Sequence, residues 1–370
     1  MKIISRVLPL ILLATALVSC SSFSGNKSES KTMSASSINV IKASDPRIHY
    51  SGRMQYKDGA MRFDWAGVEI RFAIKGSAFT LLMDGGGSDY NIVVNGEVLQ
   101  ILRPDAGIQE HIIALPSSAN STSHEVIIQR RNDPHFGVTT FRGLALDTQA
   151  ELLSKPALKA RKIEFIGDSY TVGYGNEGTS TQCDSLRPYE NNALSYAALT
   201  ASALEAEAHM SAVSGRGLVR NYGDKNRVSD EPMPSLYGRV LFHDENSVWD
   251  FTQWQPDAVV IKLGTNDFST EPHPDHIVFQ QALTDLINRV TQYYGDTPIF
   301  LLADNSMPVI VDLYRSYHQK NYASNSKVHY VVLPKPALEQ LGCDWHPNVQ
   351  YHQQAAAILA PVIKKALAWD

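Results

Sequence analysis

The chain has 370 residues, 44% hydrophobic and 19% charged, with a formal net charge of −5. That length allows more than one domain with a substantial core. Mild acidity without a long basic run argues against nucleic acid as a partner. At the N-terminus, Lys2 and Arg6 precede an apolar run from Val7 to Val18 that is too short to span a bilayer comfortably. Residues 1–19 therefore read as an export signal.

The apolar run ends in Leu17-Val18-Ser19-Cys20, which resembles the lipobox of bacterial lipoproteins, where the cysteine is lipidated after cleavage. The other reading is a plain secretory signal in which Cys20 is incidental. Serine after the cysteine implies sorting to the outer membrane, and a multi-chain acyl anchor holds without a transmembrane helix. From Ser21 to Ser37 eight of seventeen residues are serine, so residues 20–37 read as a flexible tether.

Residues 38–150 carry a β pattern. Val68 to Ile74 alternates apolar and polar residues. Strand-like runs follow at Ala78–Met83, Tyr90–Val94, His111–Leu115, His124–Gln129 and Val138–Leu146. Turn residues separate them, including Asp58-Gly59, Asn95-Gly96 and Asn132-Asp133-Pro134. Many short strands at this spacing predict a β-sandwich of the jelly-roll type.

The pattern changes over residues 158–370. Short apolar strands are predicted at Lys162–Ile166, Ala208–Val213, Ala258–Leu263, Ile299–Ala303 and Val328–Val332. Helical patterns lie between and after them at Asn192–Ala206, Pro274–Tyr294, Pro308–Tyr322 and Val349–Trp369. The alternation predicts an α/β domain with a parallel five-stranded sheet and helices on both faces. Ligands of such sheets gather beyond the carboxyl ends of the strands.

Polar and glycine-bearing segments stand at those ends: Gly167-Asp168-Ser169, Ser214-Gly215-Arg216-Gly217, Gly264-Thr265-Asn266-Asp267 and Gly342 to Asn348. Together they hold what acyl transfer needs. Ser169 is the candidate nucleophile and His346 its general base. Asp344, on the same loop, is placed to orient the imidazole. The backbone N–H groups of Ser169 and Gly215 and the Asn266 amide would stabilise an oxyanion. Taken singly, each has a structural alternative, such as a helix cap or a common turn.

A metal site is not predicted. His273-Pro274-Asp275-His276 is the only tight histidine cluster, and no second cluster completes a ligand set. Phosphate-loop and dinucleotide spacings are also missing, and serine chemistry requires no cofactor. Cys183 and Cys343 either pair, as export permits, or remain two thiols.

These blocks resemble the SGNH (GDSL-type) hydrolases and, more narrowly, the family-two carbohydrate esterases. The resemblance rests on Gly52-Arg53, Gly167 to Gly175, Glu190-Asn191-Asn192 with Tyr196, Ser214 to Gly217, and Cys343 to Asn348. It runs from about Ile48 to the C-terminus and implies a flavodoxin-like three-layer hydrolase domain after the jelly roll. It implies Ser169 as nucleophile, His346 as base, and Ser169, Gly215 and Asn266 as the oxyanion hole. The superfamily's usual acid lies three residues before the histidine, where this chain has Cys343, with Asp344 two before. Some family members resemble a Ser–His dyad in which the aspartate contributes little. A Cys183–Cys343 disulfide would tie the His346 loop to the region after Ser169.

The implied activity is removal of O-acetyl groups from plant cell-wall polysaccharides or oligosaccharides by a lipid-anchored enzyme. Tyr170, Tyr174 and Trp345 either line a sugar cleft or pack under the loops. Two other readings remain open. One is an esterase, lipase or deacetylase for other acylated substrates such as envelope glycans. The other is a carbohydrate-binding lipoprotein with a relict hydrolase domain.

Overall fold

The computed structural model describes residues 38–117, 123–324 and 327–370. The expected export signal, the lipidation candidate Cys20 and the expected serine-rich tether lie outside the described residues. The first part of the chain forms β1 (Asn39–Lys42), β2 (His49–Ser51), β3 (Gln55–Lys57), β4 (Ala60–Phe63), β5 (Glu69–Lys75) and β6 (Ala78–Asp84). It continues with β7 (Tyr90–Val94), β8 (Glu97–Leu102), β9 (Gln109–Ala114), β10 (Ser123–Arg130), β11 (Thr139–Leu146) and β12 (Glu151–Leu152).

They build two antiparallel sheets. One has the order β3-β4-β11-β6-β9, with β1 on β11, and the other β12-β5-β10-β7-β8, with β2 on β5. Ile70, Phe72 and Ile74 on one sheet and Phe79, Leu81 and Met83 on the other are fully buried, so the period-two alternation forms the sandwich core. Asn95 and Gly96, at φ 52° and 88°, close the β7–β8 hairpin in the turn that Asn-Gly favours.

The second part carries β13 (Arg161–Gly167), β14 (Ala206–Ala212), β15 (Ala258–Lys262), β16 (Ile299–Asp304) and β17 (Val328–Leu333), all parallel, in the order β14-β13-β15-β16-β17. Its helices are α1 (Ser169–Val172), α2 (Tyr196–Ala203), α3 (Met233–Leu236), α4 (Thr265–Phe268), α5 (His276–Tyr294), α6 (Pro308–Tyr322) and α7 (Val349–Ala366). Val259 and Ile261 of β15 face the α5 and α6 side, whereas Ala258 and Val260 face the α2 and α7 side. Burial on both faces is why the central strands β15 and β16 are almost wholly apolar. The predicted helix at Asn192–Ala206 is shorter, because Ser195 caps α2 and β14 has already begun at Ala206.

Strand order reverses between β13 and β15, which puts the crevice at the carboxyl ends of those two strands. The sandwich core is continuous with the apolar layer beneath α5 and α6. Polar contacts reinforce that junction. Arg53 meets Glu164 of β13 at 2.8 Å, and Trp65 Nε1 donates to the Val240 carbonyl at 2.9 Å.

Candidate active site

β13 ends at Gly167, and the chain turns at once into α1. A Cβ at Gly167 would lie 2.1 Å from Thr171 Oγ1, so only glycine lets the turn close this tightly. Asp168 caps the turn by accepting from the Tyr170 N–H at 3.1 Å. Ser169 is thereby lifted to the sheet edge with its backbone N–H at the start of the turn, where no intrahelical acceptor exists.

His346 arrives from the opposite end of the chain. Its Nε2 lies 2.8 Å from Ser169 Oγ and its Nδ1 lies 3.0 Å from the backbone carbonyl of Asp344. A carbonyl can only accept, so Nδ1 carries the proton and Nε2 is the acceptor for the serine hydroxyl. That pairing is what general-base activation of a serine requires. Burial pulls the imidazole pKa below its ordinary value, against the opposing pull of Asp344, and so favours the neutral ring that can accept the serine proton.

The expected contact between the Asp344 carboxylate and the ring is not made. The carboxylate instead accepts from the Tyr174 hydroxyl at 2.8 Å. The reason lies in the backbone: Asp344 and Trp345 sit at φ 49° and 62°, in the left-handed region. This turn points the Asp344 carbonyl inward and its side chain outward. Cys343 is bonded to Cys183, with Cα atoms 5.5 Å apart, and the Cys343 N–H donates to the Gly175 carbonyl at 3.2 Å. The His346 loop is thus fastened beside the segment that follows Ser169.

The predicted oxyanion donors converge on the same place. Gly215 follows β14 at φ 77°, and Asn266 lies in the first turn after β15. Asn266 Nδ2 donates to the Arg216 carbonyl at 2.9 Å, which uses one amide hydrogen and leaves the second for the cleft. Asp267, fully buried, accepts from the Leu218, Val219 and Arg220 N–H groups at 2.7–2.9 Å. Burial nevertheless pushes its carboxyl up to about 6. The two oxyanion loops are thereby braced against each other.

Below the site, Lys262 is buried between carboxylates, 3.2 Å from Asp304 and 3.8 Å from the Tyr170 ring centre. Burial opposes its charge, but Asp168 and Asp304 more than compensate and raise its pKa. Tyr170 therefore packs under the site. Tyr174 and Trp345 line the cleft, and Trp345 is 66% exposed.

The cleft has a volume of about 860 Å³ and brings together Ser169, Gly215, Asn266 and His346. It also brings in residues that sequence reasoning missed, notably His135 from the sandwich and Tyr222 from the loop after Gly215. Asn132-Asp133-Pro134 marked a turn in the sequence, and nothing local showed that the turn reaches another domain's site. His273 and His276, the one tight histidine pair, pack edge-on against Phe268.

Residues 50–156 match the carbohydrate esterase 2 N-terminal family model, and residues 165–354 match the GDSL-like lipase/acylhydrolase family model. The cellulase/esterase CelE of Acetivibrio thermocellus is 34% identical over 88% of this chain, which spans 40% of that protein's length. An acetylxylan esterase/glucomannan deacetylase of Cellvibrio japonicus is 27% identical, with 84% of this chain and 89% of that protein aligned. A family two carbohydrate esterase from Clostridium thermocellum, solved with cellohexaose, is 33% identical with a TM-score of 0.80, covering 87% of this chain and 100% of that one. Sandwich and five-stranded sheet thus occur in the same order, with both family models matched along one chain, and the protein belongs to carbohydrate esterase family 2 as a carboxylic ester hydrolase.

Proposed function

We propose that this protein is an exported, lipid-anchored serine esterase that removes O-acetyl groups from plant cell-wall polysaccharides or oligosaccharides, such as acetylated xylan and glucomannan. The observation that carries the chemistry is the 2.8 Å pairing of Ser169 Oγ with His346 Nε2 in a cleft shared with Gly215 and Asn266. The substrate class is supported by the Cellvibrio japonicus relative, named for acetylxylan and glucomannan deacetylation.

In this mechanism Ser169 Oγ attacks the acetyl carbonyl carbon while His346 Nε2 takes the hydroxyl proton. The oxyanion is received by the N–H groups of Ser169 and Gly215 and the free amide hydrogen of Asn266. His346 then returns the proton to the departing sugar oxygen, leaving an acetyl-enzyme. Water, activated by the same ring, attacks that ester and releases acetate. The Asp344 carbonyl holds the ring in the required tautomer and favours the imidazolium that forms transiently. Exposed Trp345 and Tyr222, both bordering the cleft, offer aromatic faces to the pyranose chain.

The test is acetate release from acetylated xylan and glucomannan by the protein and its Ser169→Ala variant. Release that survives Ser169→Ala refutes the mechanism. Equal or faster release from acetylated peptidoglycan would move the substrate to the cell's own envelope. Anchoring at Cys20 is tested separately, by incorporation of labelled fatty acid that Cys20→Ala abolishes.

A further inference from the structure

The sandwich is not only a neighbour of the site. Asp133, 1% exposed, reaches from the sandwich turn after β10 to the loop after β14, where its Oδ2 accepts the Ser214 N–H at 2.8 Å. Two residues on, His135 Nε2 lies 3.4 Å from the Ser214 carbonyl oxygen. An imidazole facing a carbonyl there must donate, so Nε2 carries the hydrogen. One turn thus holds Ser214 from both sides, by its N–H and by its C=O.

The carbonyl matters most, because it belongs to the same peptide group as the Gly215 N–H. In a trans peptide the C=O and N–H point in opposite directions. Fixing the Ser214 oxygen toward His135 therefore fixes the Gly215 hydrogen on the other side. The turn's own bonds, Arg216 N–H to the Val213 carbonyl at 3.3 Å and Tyr222 N–H to the Gly215 carbonyl at 2.9 Å, flank the Ser214–Gly215 peptide without engaging its C=O or N–H, and Gly215 takes up the φ of 77° that this turn needs.

The gripping turn is rigid. Arg130, fully buried in the sandwich, donates to the carbonyls of Asn132, Asp133 and Gly137 at 3.3, 3.2 and 2.9 Å. Asp133 Oδ1 accepts the His135 N–H at 2.9 Å, and the Asp133 N–H donates to buried Glu190. The His135 ring rests edge-on against Phe242 at 4.9 Å between centres.

We propose that Asp133 and His135 are positioning residues for the oxyanion hole, so that the β-sandwich supplies part of the esterase machinery. This rests on the serine mechanism given above. Neither residue needs to touch the acetyl group: they act through the Ser214–Gly215 peptide.

The experiment compares Asp133→Asn and His135→Phe with the parent on 4-nitrophenyl acetate and on an acetylated xylo-oligosaccharide, with Ser169→Ala as control. A displaced oxyanion donor costs up to about 10²-fold in turnover. The expected result for Asp133→Asn is a kcat loss of about tenfold to a hundredfold on both substrates, with KM within about twofold. His135→Phe, with the weaker contact, is expected to lose about threefold to tenfold on both. Backbone amide exchange over residues 213–217 should quicken in Asp133→Asn, a readout that stands even if its overall stability falls.

Parental kcat in either folded variant overturns the proposal for that residue. So does a loss confined to the oligosaccharide, which would make His135 a sugar contact, because 4-nitrophenyl acetate carries no sugar. Inactive Ser169→Ala beside a fully active Asp133→Asn sinks this inference alone, whereas active Ser169→Ala sinks the serine mechanism with it.

Discussion

The imidazole Nδ1 of His346 is held at 3.0 Å by the backbone carbonyl of Asp344, while the carboxylate of that residue is engaged by the Tyr174 hydroxyl. A peptide group therefore does the orienting that a carboxylate does in a full triad. Removing the carboxylate of a triad costs about 10⁴ in kcat, because the ring takes the wrong tautomer. Here the carbonyl survives substitution. Asp344→Asn, which tolerates the left-handed backbone at φ 49°, should therefore lower kcat on 4-nitrophenyl acetate by only about threefold to tenfold. Loss of a thousandfold would return the orienting role to the carboxylate.

The same geometry sets the pH dependence. His346 must be neutral to accept the Ser169 proton, so activity is present above its folded pKa and lost as pH falls through it. Burial beside the Tyr170 and Tyr174 rings lowers that pKa, Asp344 raises it, and the buried Lys262 charge lowers it again. The net direction is down. The acid limb of kcat/KM should thus lie below the ordinary histidine value of about 6.5. Asp344→Asn removes the one opposing charge and should move the limb further down. An acid limb above the ordinary value, or one that Asp344→Asn shifts upward, would contradict this assignment.

The Cys183–Cys343 bond closes a loop of 160 residues that contains most of the catalytic domain. In the chain-entropy model a cross-link over such a span contributes about 5 kcal/mol, which native-state effects commonly reduce to about 2–4 kcal/mol. Cys343 is fully buried against Gly175 and Gly178, whereas Cys183 borders the open cleft. Cys183→Ser is the gentler substitution. It should lower the melting temperature and also kcat, because the loop carrying His346 loses its tether to the segment after Ser169. An unchanged kcat in the folded variant would show that the backbone bonds of the loop suffice without the covalent tie.

The central strands β15 and β16 were legible because both of their faces are buried and they read as apolar runs, and the other three parallel strands because they alternate with helical patterns. The common placement of Ser169, Gly215, Asn266 and His346 was legible from topology: each follows a strand or leads into a helix, which delivers it to one edge. What stayed hidden depends on docking between distant segments. His135 and Asp133 looked like ordinary turn residues until the sandwich met the β14 loop. The strand β8 was missed because its residues are mostly exposed on both faces, leaving no alternation to read. The inward carbonyl of Asp344 was hidden too, since two successive non-glycine residues at positive φ leave no compositional mark.

Arg53 gives the sharpest test of how the two parts are joined. Its guanidinium is 1% exposed, pairs with Glu164 at 2.8 Å and lies within 6 Å of the Trp65, Tyr237, Trp249 and Phe251 rings. Glu164 in turn accepts from the Ser211 and Tyr237 hydroxyls at 2.7 Å each. Both charges belong to one buried network, so removing one strands the other. Breaking a buried pair from one side typically costs about 3–5 kcal/mol, whereas replacing both partners is close to neutral. Arg53→Met should therefore lower the urea unfolding free energy by about 3–5 kcal/mol, and adding Glu164→Gln should restore part of that loss. Glu164 lies on β13, the strand that leads into the Ser169 turn, but no atom of the pair enters the cleft. The folded fraction of Arg53→Met should accordingly keep kcat within about twofold of the parent. A variant that loses no stability, or a double variant worse than the sum of the singles, would show that the pair does not hold the sandwich to β13.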